Sequence, residues 1–340
     1  MRQDIKALGS LLLLSREIVI VTHANPDGDA MGSTLALMRY LRNQGKRAYV
    51  ITPTPYASFL KWLPGDKDVI VYSYQQELAK KKIEICDLVC CLDFNALHRI
   101  NELGELIEKR DVKKAVIDHH LFPGKFQDVL VSNTKASSTC ELIYEVIEQL
   151  TGSDAIDEEI ANCIYTGILT DTGGFQFSCT TPRVHQIVAD LLQKGVKPDI
   201  VQNRVFNSFN ENRLKLLGHC LSNRMTVYPE YHAAMIYLTK EDWEKFNVKG
   251  GDTEGIVNYP LKMQDVYFSC FIIERPDLIK MSFRSKGDFD VNSFAGTNFE
   301  GGGHANAAGG KSQDNLEKTI ERFEKALPAY KEKLNTVNLG

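Results

Sequence analysis

The chain has 340 residues, with 40 basic and 44 acidic side chains, so its formal net charge is −4. Charged residues make up 25% of the sequence and hydrophobic residues 43%, which is ordinary for a folded protein and excludes disorder as the main state. The mildly acidic balance argues against a general binder of duplex DNA, because such proteins are usually basic. The length favours two domains over one.

The eight cysteines include no Cys-x-x-Cys pair, and most lie inside apolar runs such as CDLVCCLD. We expect small buried side chains in a reducing compartment rather than zinc ligands or disulfides. The leucines at 11–14 form too short a run for a signal segment. No apolar run approaches the 18 residues of a membrane span. The sequence therefore predicts a cytoplasmic protein that does not insert into membranes.

Short apolar strands alternate with helical patterns in the first half of the chain. The strand candidates are residues 18–22, 47–51, 69–72, 88–93 and 114–118. Helical spacing of apolar residues is found at 31–41, 141–150 and 160–168. This alternation is typical of a doubly wound, mainly parallel sheet, so we predict an α/β domain over residues 1–190.

The pattern changes in the second half. Residues 183–221 are predicted to be mostly helical, and we assign 191–222 as a helical linker. Strand-like segments follow at 225–228, 232–238, 266–274 and 278–285, and a glycine-rich stretch at 301–310 precedes a charged helix near 313–326. This order predicts a smaller α+β domain with a mixed sheet over residues 223–335.

One imidazole and two carboxylates follow the first predicted strand directly. His23, Asp27 and Asp29 lie within seven residues, beside a predicted tight turn. Ligands of open α/β sheets bind at the carboxyl ends of strands, and a mixed set of imidazole and carboxylate suits Mn²⁺, Fe²⁺ or Mg²⁺. For this segment alone, an N-cap on the following helix is an equally good interpretation.

Three further segments favour the metal interpretation. Asp93 ends the apolar run 88–93, Asp118, His119 and His120 end the next predicted strand, and Asp171 ends a helix. A buried carboxylate is costly unless it is paired or bound to a metal. Each residue alone could be a strand-end or helix-end residue, but together they predict a metal site at one edge of the sheet.

Six residues are candidate metal ligands, which is more than a single catalytic ion with open positions requires. They are His23, Asp27, Asp29, Asp93, His119 and Asp171. Two ions about 3.5–4 Å apart that share a carboxylate could activate a water molecule and bind a phosphoryl oxygen. The sequence therefore favours a phosphate ester or anhydride as substrate.

These segments resemble the motifs of the DHH phosphoesterase superfamily, which is named for the triplet found here as Asp118-His119-His120. The segments at 254–260, 282–285, 290–291, 301–304 and 307–309 resemble the associated DHHA1 domain. Size and motif set are most similar to the NrnA-type group of nanoRNases (oligoribonucleases) and pAp phosphatases. Members of this group hydrolyse short oligoribonucleotides and remove the 3′-phosphate of pAp.

The resemblance implies roles for the residues at the predicted metal site. The first Mn²⁺ is expected on His23, Asp27 and Asp93, and the second on Asp29, Asp93, His119 and Asp171, with Asp93 bridging. Mg²⁺ or another divalent ion is the alternative. Asp93, His120 and Asp118 are the expected catalytic residues: His120 lies beside the scissile phosphate, and Asp118 orients the ring of His119.

The resemblance also implies residues that bind the substrate. Arg284 and His304 are expected to contact phosphate, and the backbone of Gly302 and Gly303, at a possible helix start, to form an anion cradle. Arg99 matches a recurring family arginine that reaches the substrate or buttresses the site. For the segment at 137–139, which precedes a helix, we favour an N-cap over a catalytic role.

The resemblance thus predicts a manganese-dependent phosphoesterase acting on short RNA or pAp, with its site in the cleft between the domains. Linearised cyclic dinucleotides and short polyphosphate or pyrophosphate are alternative substrates. A nucleotide-binding regulator is the alternative outside enzymes, although all six predicted ligands are present. We expect no duplex DNA and no membrane as partners, and a homodimer remains open.

Overall fold

The computed structural model describes residues 1–249, 251–276 and 278–339. The chain divides into two units, Met1–Ser208 and Phe209–Gly340. The division lies inside the segment 191–222 that the sequence assigns to a helical linker. Within the described part of the chain, no helix is both long and apolar enough to cross a membrane.

The first unit is built on a six-stranded sheet in which all the pairings are parallel. Its strands are β1 Glu17–Val21, β2 Arg47–Thr52, β3 Ile70–Val71, β4 Leu88–Leu92, β5 Lys113–Asp118 and β6 Val129–Ser132. Their order in the sheet is β3-β2-β1-β4-β5-β6. The predicted parallel α/β sheet is confirmed, while β6 was not predicted.

Eight helices of the first unit connect and cover these strands. They are α1 Arg2–Leu14, α2 Gly28–Asn43, α3 Gln76–Ile85, α4 Glu102–Lys109, α5 Thr139–Thr151, α6 Glu158–Asp171, α7 Pro182–Gln193 and α8 Pro198–Phe206. Ile18 and Ile20 of β1 pack into a core shared with α1, α2, α5 and α6. Val19 and Val21 pack into a second core with α3 and α4. Because both faces are covered, the strands are apolar almost throughout.

The strand order reverses between β1 and β4. The chain adds β2 and β3 on one side of β1, then returns to place β4 on the other side. The crevice at the carboxyl ends of strands on either side of such a point is where open α/β sheets bind ligands. The loop with His23 and Asp27 follows β1, and Asp93 follows β4.

The second unit carries a mixed six-stranded sheet, as predicted. Its strands are β7 Met225–Tyr228, β8 Ala233–Leu238, β9 Phe268–Glu274, β10 Ile279–Ser285, β11 Gly302–His304 and β12 Ala307–Ser312. In the order β11-β12-β10-β9-β8-β7, β8 pairs with β9 in parallel, and the other pairings are antiparallel. Its helices are α9 Glu211–Asn223, α10 Lys240–Lys245, α11 Val291–Asn298, α12 Leu316–Ala326 and α13 Lys331–Asn335.

The glycine-rich stretch at 301–310 differs from its prediction. We expected a possible helix start there, but the structure has the two strands β11 and β12. Glycine has little intrinsic preference for strands, so the sequence pattern carried no strand signal. Pairing of β12 with β10 holds the segment extended.

Candidate metal centre

The loop between β1 and α2 supplies the first side chains of the site. Asp27 is the N-cap of α2, and its Oδ1 accepts hydrogen bonds from the backbone N–H groups of Asp29 (3.1 Å) and Ala30 (3.0 Å). Its other oxygen, Oδ2, lies 3.7 Å from Nε2 of His23. The two interpretations of this segment are therefore compatible, because one oxygen caps the helix and the other faces the site.

His23 is buried and faces two carboxylates. Its Nε2 lies 3.7 Å from Asp27 Oδ2 and 3.4 Å from Asp93 Oδ2, while Nδ1 contacts the carbonyl oxygen of Ala24 at 2.9 Å. Because a carbonyl only accepts, Nδ1 carries a hydrogen in this contact. Burial disfavours the charged ring, but the nearby carboxylates of Asp27 and Asp93 outweigh burial and raise the pKa of His23 to about 10.

His119 follows β5 and faces three carboxylates. Its Nε2 lies 3.4 Å from Asp171 Oδ2, 3.5 Å from Asp93 Oδ1 and 3.8 Å from Asp29 Oδ2. Its Nδ1 lies 3.3 Å from the carbonyl oxygen of Ala136. Burial again opposes the charged ring, but Asp93 and Asp171 hold the pKa of His119 well above its ordinary value.

Asp93 lies at the centre of the site. Its Oδ2 faces His23 and its Oδ1 faces His119, so one carboxylate is shared between the two histidines. Its backbone has a φ of 64°, a left-handed conformation that is uncommon outside glycine and occurs at functional sites. Burial acts to raise the pKa of Asp93, but the facing rings of His119 and His23 hold it well below the ordinary value.

The first turn of α5 holds Asp29. The backbone N–H groups of Thr139 and Cys140 donate to its two carboxylate oxygens at 2.6 and 2.8 Å. Burial and the negative charge of Asp93 nevertheless raise the pKa of Asp29 to about 8. Burial and the charge of Asp29 likewise raise the pKa of Asp171 well above its ordinary value. Negative charge is thus crowded at this site, as expected where a cation binds.

Thr139 contributes a contact that we did not predict. Its hydroxyl donates to Asp93 Oδ1 at 3.0 Å. The neighbouring Ser138 is the N-cap of α5, and its side chain accepts from the N–H of Glu141 at 3.1 Å. The preferred interpretation of this segment as a helix cap therefore describes Ser138 but is incomplete for Thr139. The resemblance marked the segment 137–139 as a whole, but the sequence did not show the contact with Asp93, because Asp93 follows a distant strand.

Asp118 orients a different histidine from the one we expected. Asp118 Oδ1 lies 2.7 Å from Nδ1 of His120, whereas Nδ1 of His119 contacts the carbonyl of Ala136. The expectation that Asp118 orients His119 is therefore wrong. Successive side chains at the end of an extended strand leave it in different directions, and the sequence did not show which ring turns towards Asp118.

Among the described residues of the first unit, the side chains form three groups whose potential ligand atoms lie within 4.8 Å of one another. The groups are His23, Asp27 and Asp93; Asp29, His119 and Asp171; and Asp93, Asp118 and His120. All donor atoms are oxygen or nitrogen, which suits Mn²⁺, Mg²⁺ or Fe²⁺. His23 and His119 each hold a backbone carbonyl with Nδ1 and turn Nε2 to the carboxylates, as metal-binding histidines do. The donor set fits a divalent cation.

The predicted substrate residues lie on the second sheet, with one correction. Arg284 is on β10, and Gly302, Gly303 and His304 form β11. The N–H of Gly303 donates to Asn292 Oδ1 at 2.8 Å, and this segment is a strand rather than a helix start. The prediction that the N–H of Gly303 forms part of an anion cradle is therefore wrong, because that donor is already used.

Arg99 lies in a short 3₁₀ turn after β4. Its carbonyl oxygen accepts a hydrogen bond from the N–H of Ala24 at 2.8 Å. This bond ties the turn to the loop that carries His23. Arg99 therefore buttresses the site through its main chain, and contact of its side chain with substrate stays a prediction.

Comparison with known proteins adds the following similarities. A family model described as the DHH family, N-terminal domain, matches residues 17–168, and one for the DHHA1 domain matches residues 230–336. The bifunctional oligoribonuclease and PAP phosphatase NrnA of Thermus thermophilus is 32% identical over 93% of this chain and 90% of its own. The Bacillus subtilis protein of the same name is 29% identical over 86% of this chain and 88% of its own. A solved exopolyphosphatase-related protein from Bacteroides fragilis is 43% identical, with a TM-score of 0.93 and 98% of each chain covered.

Proposed function

The chain belongs to the DHH family, and from this premise we propose that it is a divalent-cation-dependent phosphoesterase for short oligoribonucleotides and the 3′-phosphate of pAp. The observation that carries the proposal is the convergence of His23, Asp93 and His119 at the point where the strand order of the sheet reverses. The two relatives named as oligoribonuclease and PAP phosphatase support the choice of substrates.

The proposed cofactors are two Mn²⁺ ions. His23, Asp27 and Asp93 would hold one, and Asp29, Asp93, His119 and Asp171 the other. The shared position of Asp93 between the two histidines supports its role as the bridging residue. Divalent ions bound there would lower the pKa of a water molecule and neutralise charge on phosphoryl oxygens.

His120 is proposed to donate a proton to the leaving group, with Asp118 orienting its ring. An ionised Asp118 can only accept, so Nδ1 of His120 carries the hydrogen in their 2.7 Å contact. Nε2 is then the atom through which His120 can hold a proton for a leaving oxygen. Asp118 is fully buried, so it would hold the ring of His120 without competing for the substrate.

Arg284 and His304 are proposed to bind a substrate phosphate. They lie in one row across the sheet with Ala307 between them, because Ala307 pairs with Arg284 of β10 and with His304 of β11. A guanidinium binds phosphate through two parallel N–H groups. These residues would set the apparent affinity for substrate, whereas the residues of the metal centre would set the rate of the chemical step.

A hydrolysis panel in the presence of Mn²⁺ tests the proposed function. The substrates are pAp, a diribonucleotide, a 24-mer, pyrophosphate and cyclic di-AMP, and chelation with EDTA is the control for metal dependence. We expect turnover of pAp and the diribonucleotide, slower cleavage of the 24-mer and loss of activity with EDTA. Preferred hydrolysis of pyrophosphate or cyclic di-AMP, or nucleotide binding without turnover, would contradict the proposal.

A further inference from the structure

Phe122 lies in the loop between β5 and β6, where it is the second residue after His120. Its side chain is 82% exposed, which is the largest exposed fraction of any large hydrophobic residue in the described part of the chain. Single exposed apolar residues are common on protein surfaces, so exposure by itself does not indicate a role. What distinguishes Phe122 is its backbone conformation, its anchoring and its place beside His120.

The backbone of Phe122 is in a conformation that bulky residues rarely adopt. Its φ is 58°, in the left-handed region that favours glycine. Pro123 follows directly, and a residue that precedes proline favours extended backbone instead. A conformation that is disfavoured in both ways persists only where the surrounding structure imposes it, and such residues concentrate at functional sites.

Two hydrogen bonds to Asn95 hold the loop in this conformation. The side-chain Nδ2 of Asn95 donates to the carbonyl of Leu121 at 2.7 Å, and its carbonyl accepts from the N–H of Gly124, also at 2.7 Å. The residues on both sides of the loop tip are therefore held. Because Asn95 is two residues from Asp93, these bonds fix the position of Phe122 relative to the metal centre.

The glycine of this loop lies at a different position. A Cβ atom on Gly124 would come within 2.9 Å of the carbonyl oxygen of Asn95, so glycine allows the close approach of the two loops. At residue 122, glycine or asparagine would adopt the left-handed conformation more readily than phenylalanine does. The backbone therefore does not explain why an aromatic side chain stands there.

Packing does not explain the aromatic side chain either. The other phenylalanine of the loop, Phe126, packs on the core and stacks on Phe94 with ring centroids 6.4 Å apart and an angle of 4° between the rings. Phe122 belongs to none of the hydrophobic clusters that the described residues form. An anchored loop therefore presents its ring to solvent.

Phe122 lies close to the residue that is proposed to protonate the leaving group. Two residues of chain span at most about 7 Å, which limits the separation of its Cα from that of His120. In pAp and in a dinucleotide, the leaving oxygen belongs to a ribose that carries a base. Aromatic side chains stack on every base, since each base has a π-face. A side chain with only two rotatable bonds loses little conformational entropy in doing so.

We propose that Phe122 is a stacking residue for the nucleobase of the leaving group, held in place by Asn95. The inference rests on the proposed function and deepens it, because it assigns base recognition to the loop that follows His120. Substrates that carry a base on the leaving side, such as pAp and short oligoribonucleotides, gain this contact. Pyrophosphate has no base, so the contact favours nucleotide substrates over pyrophosphate.

A comparison of pAp with its abasic analogue, in which hydrogen replaces adenine, tests the role of the base. We expect Phe122→Ala to lower kcat/KM for pAp about tenfold, as expected for the loss of one stack between a base and an aromatic ring. The loss should appear mainly in KM, because stacking stabilises bound substrate and transition state alike. The value for the abasic analogue should not change. Phe122→Tyr keeps an aromatic ring and should retain the wild-type preference for pAp.

Tyr74→Ala is the matched control for removal of an exposed aromatic side chain. Tyr74 is 74% exposed and follows β3, which lies four positions from β5 in the sheet, about 19 Å at 4.8 Å per strand. This variant should leave kcat/KM for pAp unchanged. The thermal midpoint of unfolding of Phe122→Ala should stay near that of the wild type. A wild-type preference for pAp in Phe122→Ala, or an equal loss on pAp and the abasic analogue, would overturn the inference.

Fluorescence separates this inference from the proposed function. In Phe122→Trp, the new indole should be quenched by stacked adenine when pAp binds with Ca²⁺ in place of Mn²⁺, and this signal does not depend on turnover. The wild type, which has only Trp62 and Trp243, gives the background. If the wild type hydrolyses neither pAp nor a diribonucleotide, the proposed function fails, while quenching in Phe122→Trp still supports the stack. No quenching beyond this background, whatever the result of the hydrolysis panel, would refute the stack.

Discussion

Thr139 and Asp93 are joined by a hydrogen bond of 3.0 Å from the threonine hydroxyl to the carboxylate Oδ1. The N–H of the same threonine donates to Asp29 at 2.6 Å. One residue at the start of α5 therefore positions two carboxylates that come from the loops after β1 and β4. Because Oδ1 of Asp93 also faces His119, the hydroxyl fixes which oxygen of the shared carboxylate turns to which histidine.

Replacing this hydroxyl should weaken metal binding without unfolding the protein. In Thr139→Val the volume and the backbone N–H remain, but Asp93 loses a donor, so we expect divalent-cation affinity and kcat to fall about 10–100-fold. Thr139→Ser should restore most of both. Isothermal titration with Mn²⁺ measures the affinity independently of activity. Thr34→Val, which removes a buried hydroxyl bonded to the carbonyl of Ala30, is the control and should bind Mn²⁺ as the wild type does.

The pair formed by Asp118 and His120 should act as one unit. Asp118→Asn replaces an acceptor with a side chain that can donate, so it no longer fixes the hydrogen on Nδ1 of His120. We expect kcat to fall about 100-fold or more in Asp118→Asn and in His120→Gln. The double variant should lose little beyond the worse single variant, since both remove one function. Losses that multiply in the double variant would show that the two residues act separately.

Metal binding should depend on pH with a defined sign. The pKa of His23 is raised to about 10 and that of His119 is raised well above its ordinary value, so both rings are protonated near neutral pH in the metal-free protein. A ligand histidine must lose that proton when a cation binds. Affinity for Mn²⁺ should therefore increase as the pH rises from 6 to 8. Thermal shifts on addition of Mn²⁺ at both pH values measure this, and a shift that is larger at pH 6 would contradict it.

The buried carboxylate of Asp242, in the second unit, should make a large contribution to the free energy of unfolding. Asp242 is 2% exposed and accepts hydrogen bonds from Nε (2.7 Å) and Nη2 (3.0 Å) of Arg224 and from Nε2 of His219 (2.8 Å). We expect Asp242→Asn to lower the free energy of unfolding by about 3 kcal/mol, because the partly buried guanidinium of Arg224 loses its anionic partner. Urea unfolding at pH 7 measures the loss. Glu321→Gln, which removes an exposed pair with Lys325, should cost about 0.5 kcal/mol or less.

The pKa of Asp242 predicts how the difference in free energy of unfolding between the wild type and Asp242→Asn changes with pH. Burial acts to raise the pKa of Asp242, but Arg224 outweighs it and holds the pKa below the ordinary value of 3.8. The stabilisation is therefore complete above about pH 4 and is lost as the pH falls through the lower, folded-state pKa. The difference between the wild type and Asp242→Asn should shrink below pH 4. A difference that grows under acid conditions would contradict the assignment.

Much of the first unit could be predicted because its signals are local. Strands that are buried on both faces are continuous apolar runs, as at 88–92, and an acidic residue directly after such a run stands out. Parallel strands place these residues at one sheet edge. The sequence could therefore predict that His23, Asp93 and His119 meet, although they lie far apart along the chain.

What could not be predicted depends on where elements lie in space. The contact between Thr139 and Asp93 requires the start of α5 to reach the end of β4, and nothing in either segment shows this. β12 contains two glycines and two alanines, so its extended form comes from pairing with β10 rather than from its own residues. The use of the Gly303 N–H by Asn292 likewise depends on the position of α11.

The effect of Asp93→Ala on hydrolysis tests the central claim most directly. Among the residues that the structure describes, Asp93 is the one whose carboxylate faces both His23 and His119, and the substitution removes it. With Mn²⁺ present and pAp and a diribonucleotide as substrates, we expect wild-type turnover and a loss of about 10³-fold or more in kcat/KM for both substrates in the variant. Circular dichroism of the variant checks that it is folded. Full activity of folded Asp93→Ala on either substrate would contradict the assignment of this site as the catalytic metal centre.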